Sequence, residues 1–354
     1  MGIDVIKEAM LYEKIGDNKV HCNLCAQSCK ISQGKRGFCG VRENRDGELY
    51  TLIYETVSSE AVDPIEKKPL YHFYPGSYVY SVGSIGCNFR CKHCQNWSIS
   101  QACLEDAYTM DIPSDELIQR ALLSRSSSIA WTYNEPTIWH EYTYECAKLA
   151  KEAGLGTVYV TNGYMTPEAL RNIAPYLDAA NIDIKAFNEK FYHDVASAKL
   201  APVLEASTLA KQLGIHVEIT NLIIPGVNDS LDELRELSKW MYKNLGPDTP
   251  LHFTRFHPQY KMQNLSPTPV KTMQEACKIA TEEGIKYVYM GNVPGSDRNN
   301  TFCPNCGKML IRRGYFDIEE YEITPEKTCP ICGEHIPIVG EYEGSKQVMD
   351  EYEY

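Results

Sequence analysis

The sequence predicts an α/β protein built on a parallel sheet, with one Cys-rich module before the sheet and another after it. Three observations lead there. Between about residues 78 and 291, apolar β-branched runs alternate with amphipathic stretches. Eleven of the 14 cysteines fall into three short-spaced groups, within residues 22–39, 87–94 and 303–332. The 354-residue chain is long enough for a substantial core, yet no apolar run approaches the roughly 18 residues of a membrane helix.

The N-terminal stretch Val5 to Ile15 reads as a short helix that stops near Gly16-Asp17-Asn18. Cys22, Cys25 and Cys29 follow, and turns at Gly34, Gly37 and Gly40 can return Cys39 to them. Four thiols suit a closed tetrahedral zinc site or a fully ligated auxiliary iron–sulfur cluster; thiols without metal are the plainer alternative. Leu49 to Tyr54 reads as a strand. Ala61 to Phe73, with Pro64, Pro69 and mixed charges, reads as an ordered linker crossing to the sheet.

Strands are expected at Tyr78 to Ile85, Ser128 to Tyr133, Thr157 to Thr161, Ala180 to Ile184, His216 to Ile223, Leu251 to Phe256 and Lys286 to Met290. Helices are expected between them at Ser114 to Ser124, Thr137 to Ala153, Pro167 to Tyr176, Pro202 to Leu213, Ser230 to Tyr242 and Pro269 to Glu283. Start signals support several: Ser114 before Asp115-Glu116, Thr166 before Pro167, and Ser230 before Leu231-Asp232-Glu233. Alternation of this kind makes a parallel sheet, as a full or partial barrel or as an open doubly wound sheet. In a barrel, chemistry collects at the C-terminal strand ends. There the sequence places Asn134-Glu135, Asn162, Asp183-Ile184-Lys185, Pro225-Gly226 and His257.

The first strand runs into Cys87, Cys91 and Cys94. Three thiolates can hold three irons of a four-iron cluster and leave the fourth open to a substrate or cofactor. A zinc site or a structural cluster is the alternative. Near the C-terminus, Cys303, Cys306, Cys329 and Cys332 form two Cys-Pro-x-Cys-Gly knuckles around a β-rich stretch from Leu310 to Ile323. That pattern signals a zinc ribbon, with a rubredoxin-like iron site as the alternative. Cys103, Cys146 and Cys277 read as packed residues, and the tail from Glu341 as fraying. The net charge of -12, with 47 acidic residues against 35 basic, argues against nonspecific nucleic-acid binding. Metal-type cysteine spacing and an N-terminus unlike a signal peptide place the chain in the cytoplasm, away from membranes.

The Cys87-x3-Cys91-x2-Cys94 spacing, with Phe89 ahead of the second Cys and Gln95-Asn96 after the third, resembles the signature of the radical S-adenosylmethionine superfamily. The resemblance implies a four-iron four-sulfur cluster that chelates S-adenosylmethionine, and it selects a partial (β/α)6-type parallel barrel. Residues 78 to 291 are similar to the activating enzymes of glycyl radical enzymes, such as pyruvate formate-lyase activating enzyme. In such enzymes a Gly-Gly-Glu segment contacts the methionine amino group. Asn134-Glu135-Pro136 occupies that place, so Glu135 alone carries over. The resemblance further implies cofactor contacts at Asn162, at Asp183 and Lys185 near methionine and ribose, at the Pro225-Gly226 loop, and at His257 near adenine.

The Cys-rich start, Asp63 to Leu70, Tyr133 to Thr137 and the two knuckles together resemble the radical enzymes of the AmmeMemoRadiSam system. That resemblance implies Memo-like and AMMECR1-like partners and an electron donor. The expected organisation is a Cys-rich extension (1–76), a radical barrel (77–298) and a zinc-ribbon-like module with an acidic tail (299–354). The expected function is reductive cleavage of S-adenosylmethionine followed by hydrogen abstraction, for instance from a Gly of a partner protein. Radical tailoring of a small molecule or peptide side chain is one alternative, and a noncatalytic metal-binding scaffold is another.

Overall fold

The computed structural model describes residues 6–342 and 344. Its central sheet has eight strands: β1 (Ser59–Pro64), β2 (Tyr78–Gly83), β3 (Ser128–Trp131), β4 (Gly156–Thr161), β5 (Ala179–Asp183), β6 (His216–Ile223), β7 (Leu251–Arg255) and β8 (Val288–Gly291). They lie side by side in sequence order, and β8 does not pair with β1. Strands β2 to β8 are parallel, in registers such as Ser128↔Val79 and Thr220↔His252. Six helices connect them: α1 (Ser114–Leu123), α2 (His140–Glu152), α3 (Pro167–Ile173), α4 (Leu200–Gln212), α5 (Leu231–Asn244) and α6 (Val270–Glu282). The result is the open (β/α)6 barrel.

Local chemistry explains these elements. Thr166 caps α3, its hydroxyl accepting from Ala169 N at 3.2 Å, and Pro167 takes the first helical position, where a missing N–H costs nothing. On α5, Leu234, Leu237, Ser238 and Met241 are buried at the three- and four-residue spacing of one helix face. Strand β3 is buried along its whole length, as expected of a parallel strand covered on both sides.

Two expectations of secondary structure fail. The helix expected over Val5 to Ile15, whose first residue lies outside the described residues, is replaced by strands at Lys7–Glu8 and Tyr12–Lys14. Tyr12–Lys14 pairs antiparallel with Val20–Cys22 around a turn in which Gly16, Asp17 and Asn18 all have positive φ. Good helix formers are thus overridden by pairing with the Cys-bearing strand. The supposed linker is β1, antiparallel to β2 from Ser59↔Gly83 to Pro64↔Tyr78, followed by a 3-10 turn at Ile65–Lys67. As an edge strand it tolerates Pro64 at its end.

The N-terminal segment shares the barrel's core: Leu24, Ile31, Val41, Leu49 and Ile53 pack in one cluster with Val82, Ile129 and Trp131. A buried ion pair, Arg42 Nη2 to Glu141 Oε2 at 2.5 Å, joins this segment to α2, and Glu141 Oε1 also accepts from Met10 N at 2.6 Å. The C-terminal segment forms an antiparallel sheet of Thr301–Phe302, Met309–Arg313 and Ile318–Tyr321. Its Leu310 and Ile311 pack with Tyr71, Tyr287 and Tyr289. Arg313 fastens it further, donating to Thr301 Oγ1 at 2.8 Å and Tyr71 O at 3.0 Å. Cys146 and Cys277 are buried as expected, whereas Cys103 is exposed.

Candidate active site

A cavity of about 740 Å³ opens among the C-terminal strand ends and reaches down into the barrel. Cys87, Cys91 and Cys94 all line it, on the loop that follows β2. Asn134 fixes this loop to the end of β3: its Oδ1 accepts from Ser84 N at 3.1 Å and its Nδ2 donates to Gly86 O at 3.0 Å. Asn96 Nδ2 donates to Tyr133 O at 2.6 Å from the other side. Tyr133 itself is left-handed, φ 71°, a conformation a bulky residue adopts only where its surroundings demand it. Asn134 therefore takes a structural role, tying the cysteine loop to the end of β3.

Glu135 is almost fully buried and accepts four hydrogen bonds. Its Oε1 takes them from Thr137 N (3.0 Å), Thr137 Oγ1 (2.5 Å) and Thr161 Oγ1 (2.7 Å), and its Oε2 from Asn162 N (2.8 Å). Burial pushes this carboxyl upward, and the four donors oppose it. A carboxylate has about four lone-pair sites, two on each oxygen, so Oε2 retains room for one more donor. Asn162 links Glu135 to the cysteine loop, donating from Nδ2 to Asn88 Oδ1 at 2.8 Å.

At the end of β5, Lys185 Nζ donates to Asp183 Oδ2 at 2.8 Å, and both residues line the cavity. Burial works against the Lys185 charge, but Asp183 and the Cys91 thiol outweigh it and raise its pKa. Asn228, beyond β6, holds this end in place by donating to Lys185 O at 2.6 Å. Pro225 and Gly226 lie outside the cavity wall. So does His257, which is exposed.

The sequence reading missed the inner half of the cavity. The turn after β1 supplies Glu66, Lys67, Lys68 and Tyr71, and the strands supply Asn181, Thr220 and His252. Lys67 and Lys68 each donate to Asp63 at 2.6 Å, and the Tyr133 hydroxyl joins them at 3.0 Å. Against the push of burial, the two lysines hold Asp63 well below the usual carboxylate range. Burial pushes Glu66 up to about 7, with Arg313 opposing it. Lower still, Glu218 accepts from Tyr71 N (3.1 Å) and His72 N (2.7 Å) and faces His216 and His252 at 3.0 and 2.6 Å. Several buried wall residues carry polar atoms without a protein partner: Glu66 Oε2, Asn181 Oδ1, Thr220 Oγ1 and Asn299 Oδ1. The available signal was a run of five charged or proline residues, Asp63 to Lys68 with one Ile, too polar for a passive crossing.

The thiol groups differ in spacing. Cys303, Cys306, Cys329 and Cys332 lie within 4.8 Å of one another, with Cys303 Sγ to Cys332 Sγ at 3.5 Å and Cys306 Sγ to Cys329 Sγ at 3.7 Å. Among the described residues, no other such group is drawn together as tightly. Cys87, Cys91 and Cys94 sit on one loop and line one cavity, Cys91 buried and the other two half-buried, and three soft thiols are the donor set that suits a four-iron cluster with one iron left open.

Residues 82–240 match the Radical SAM superfamily model. An uncharacterized protein of Methanocaldococcus jannaschii is 49% identical over 335 residues, which cover 94% of this chain and 100% of that protein. Pyruvate formate-lyase-activating enzyme of Clostridium pasteurianum is 24% identical over 169 residues, 45% of this chain and 67% of that enzyme. The 4-hydroxyphenylacetate decarboxylase activating enzyme of Clostridioides difficile is 25% identical over 170 residues, 44% of this chain and 52% of that enzyme.

Proposed function

We propose that this chain, which belongs to the radical SAM superfamily and has an activating-enzyme-like core, reductively cleaves S-adenosylmethionine and uses the product radical to abstract a hydrogen atom. The observation that carries the reading is the meeting of Cys87, Cys91, Cys94, Glu135, Asp183 and Lys185 on one cavity. The noncatalytic scaffold is set aside by the enzyme relatives. Cys87, Cys91 and Cys94 would hold a four-iron four-sulfur cluster, which when bound and reduced supplies the electron that splits the sulfonium to a 5'-deoxyadenosyl radical. Glu135 Oε2 offers its remaining lone pair to the methionine ammonium. Lys185 offers charge to the carboxylate, and the Asp183 oxygen it leaves free suits a ribose hydroxyl. Asn162 positions Glu135 against the cysteine loop, and Asn134 holds that loop on the barrel. His257 has no place in this assignment.

The names of the activating-enzyme relatives support a glycine Cα–H of a partner protein as the target. Memo-like and AMMECR1-like partners rest on the whole-chain resemblance. The size of the cavity, about 740 Å³, and the charged residues Glu66, Lys67 and Lys68 in its wall favour a second reading, in which a small molecule or peptide side chain enters it. The C-terminal thiols suit zinc, because four sulfurs at about 2.3 Å from one ion stand roughly 3.8 Å apart. Free cysteines and the absence of any membrane-length apolar helix among the described residues suit a cytoplasmic setting, where a low-potential electron donor is at hand. The test is electron paramagnetic resonance of anaerobically reconstituted, dithionite-reduced protein, with an assay for 5'-deoxyadenosine. A signal that shifts on adding S-adenosylmethionine, with product formed, is expected. A cluster indifferent to it, with no product, rejects the reading.

A further inference from the structure

We propose that Lys67 and Lys68 bind an anionic group of the substrate, a carboxylate or a phosphate, in the inner half of the cavity. The proposal rests on the radical SAM reading of this cavity and names the class of substrate that enters it. Both lysines line the wall. Lys68 is 3% exposed, and Lys67 is half exposed. Burying an ammonium is costly unless it is paired and hydrogen-bonded, and Asp63 supplies the pairing. Its Oδ1 accepts from Lys67 Nζ and its Oδ2 from Lys68 Nζ, each at 2.6 Å. One carboxylate thus serves two ammonium groups, and a unit of positive charge is left over. The hydrogen bonds are equally uneven. Asp63 also accepts from the Tyr133 hydroxyl at 3.0 Å, so three donors meet on its two oxygens. Each ammonium carries three N–H groups and gives one of them to Asp63.

The wall's own carboxylates are engaged elsewhere. Glu66 accepts from Gly76 N at 3.0 Å and faces Arg313 at 3.8 Å, Asp183 is held by Lys185, and Glu135 by its four donors. Deeper in, Glu218 faces His216 and His252. Tyr133 shows that the lysine pair is held in place at a cost. Its left-handed backbone, φ 71°, sets its hydroxyl on Asp63 and its ring beneath Lys68, with Nζ 5.0 Å from the ring centre. Such strain persists where the surroundings over-determine it, as they do at ligand clamps. An anion seated on the pair holds the substrate by one end in the inner half. Its reacting C–H is then fixed toward the outer half, where Cys87, Cys91 and Cys94 line the same cavity.

The test is isothermal titration of the anaerobically reconstituted protein with succinate, with inorganic phosphate and, as the uncharged control, with succinamide. It is run with and without S-adenosylmethionine, whose own carboxylate is assigned to Lys185. At least one anion should bind in both conditions and succinamide in neither, and the tighter anion identifies the substrate's group. Lys67→Met should weaken that binding about tenfold, the worth of one charge-assisted hydrogen bond, and Lys68→Met at least as much. Asp63→Asn, which removes the partner the lysines share, should tighten it. Loss of folding does not produce that opposite sign, and urea unfolding of each variant checks that it folds. Binding of neither anion, equal binding of succinamide, or an affinity that Lys67→Met and Lys68→Met both leave unmoved overturns the proposal. Failure of the radical SAM reading looks different: anions bind as expected to a protein that takes up no S-adenosylmethionine in dialysis.

Discussion

Replacing Glu135 with Gln tests whether this carboxylate serves both fold and cofactor. Four hydrogen bonds converge on it, three on Oε1 and one on Oε2. Gln retains one acceptor oxygen. If that oxygen faces Thr137 and Thr161, the amide nitrogen confronts Asn162 N–H, and two donors meet in a site that is 1% exposed. A stranded buried donor costs about 1–3 kcal/mol. Turning three charge-assisted bonds into neutral ones costs on the order of 1–3 kcal/mol more. The expected loss of stability is the sum, about 2–6 kcal/mol, read from equilibrium urea unfolding. The methionine ammonium also loses a charged partner, which at about 1.5–3 kcal/mol weakens S-adenosylmethionine binding roughly 10- to 100-fold in equilibrium dialysis. Lost stability with unchanged binding would make Glu135 a strut alone, and an unchanged protein would refute both roles.

Other outcomes follow from particular contacts. Glu141→Gln should cost about 3–5 kcal/mol by leaving Arg42 buried without its charge partner, whereas Arg42→Met/Glu141→Leu should recover most of that in urea unfolding. His257→Ala, at an exposed position off the cavity wall, should change stability by less than about 0.5 kcal/mol and leave S-adenosylmethionine binding unaltered in dialysis. Glu66, pushed by burial from its ordinary 4.5 up to about 7, binds its proton more tightly folded than unfolded. Its contribution is therefore full below about pH 4.5 and is lost as pH rises through about 7, a fall of roughly 3 kcal/mol that Glu66→Gln should flatten in denaturation at several pH values. Removing metal with a chelator should release zinc and expose residues 299–342 to protease while the barrel stays folded, because the barrel's main apolar cluster includes no ribbon residue and only Tyr71, Tyr287 and Tyr289 lose their ribbon partners.

Much was legible in the sequence because its signals are local. The alternation of β-branched runs and amphipathic helices set the parallel strands to within a residue or two at most ends, since period and caps act between near neighbours, while the partial barrel came from the family resemblance. The spacing of Cys87, Cys91 and Cys94 carried the cluster loop, and the paired knuckles carried the ribbon. Glu135, Asp183 and Lys185 could be found because barrel chemistry gathers at strand ends. Tertiary structure decided what depends on distant partners. Helix-forming residues after Val5 became strands because Lys7–Glu8 pairs with Glu48–Thr51 and Tyr12–Lys14 with the Cys-bearing Val20–Cys22. Asp63 to Lys68 became an edge strand and the cavity's inner wall, through contacts with Tyr133 and with β2. His257, two residues beyond β7, is exposed and off the cavity wall. That the sulfurs of Cys303, Cys306, Cys329 and Cys332 come within 4.8 Å of one another was likewise decided by the fold. Sequence spacing brings ligands together, but it does not set the distance between them.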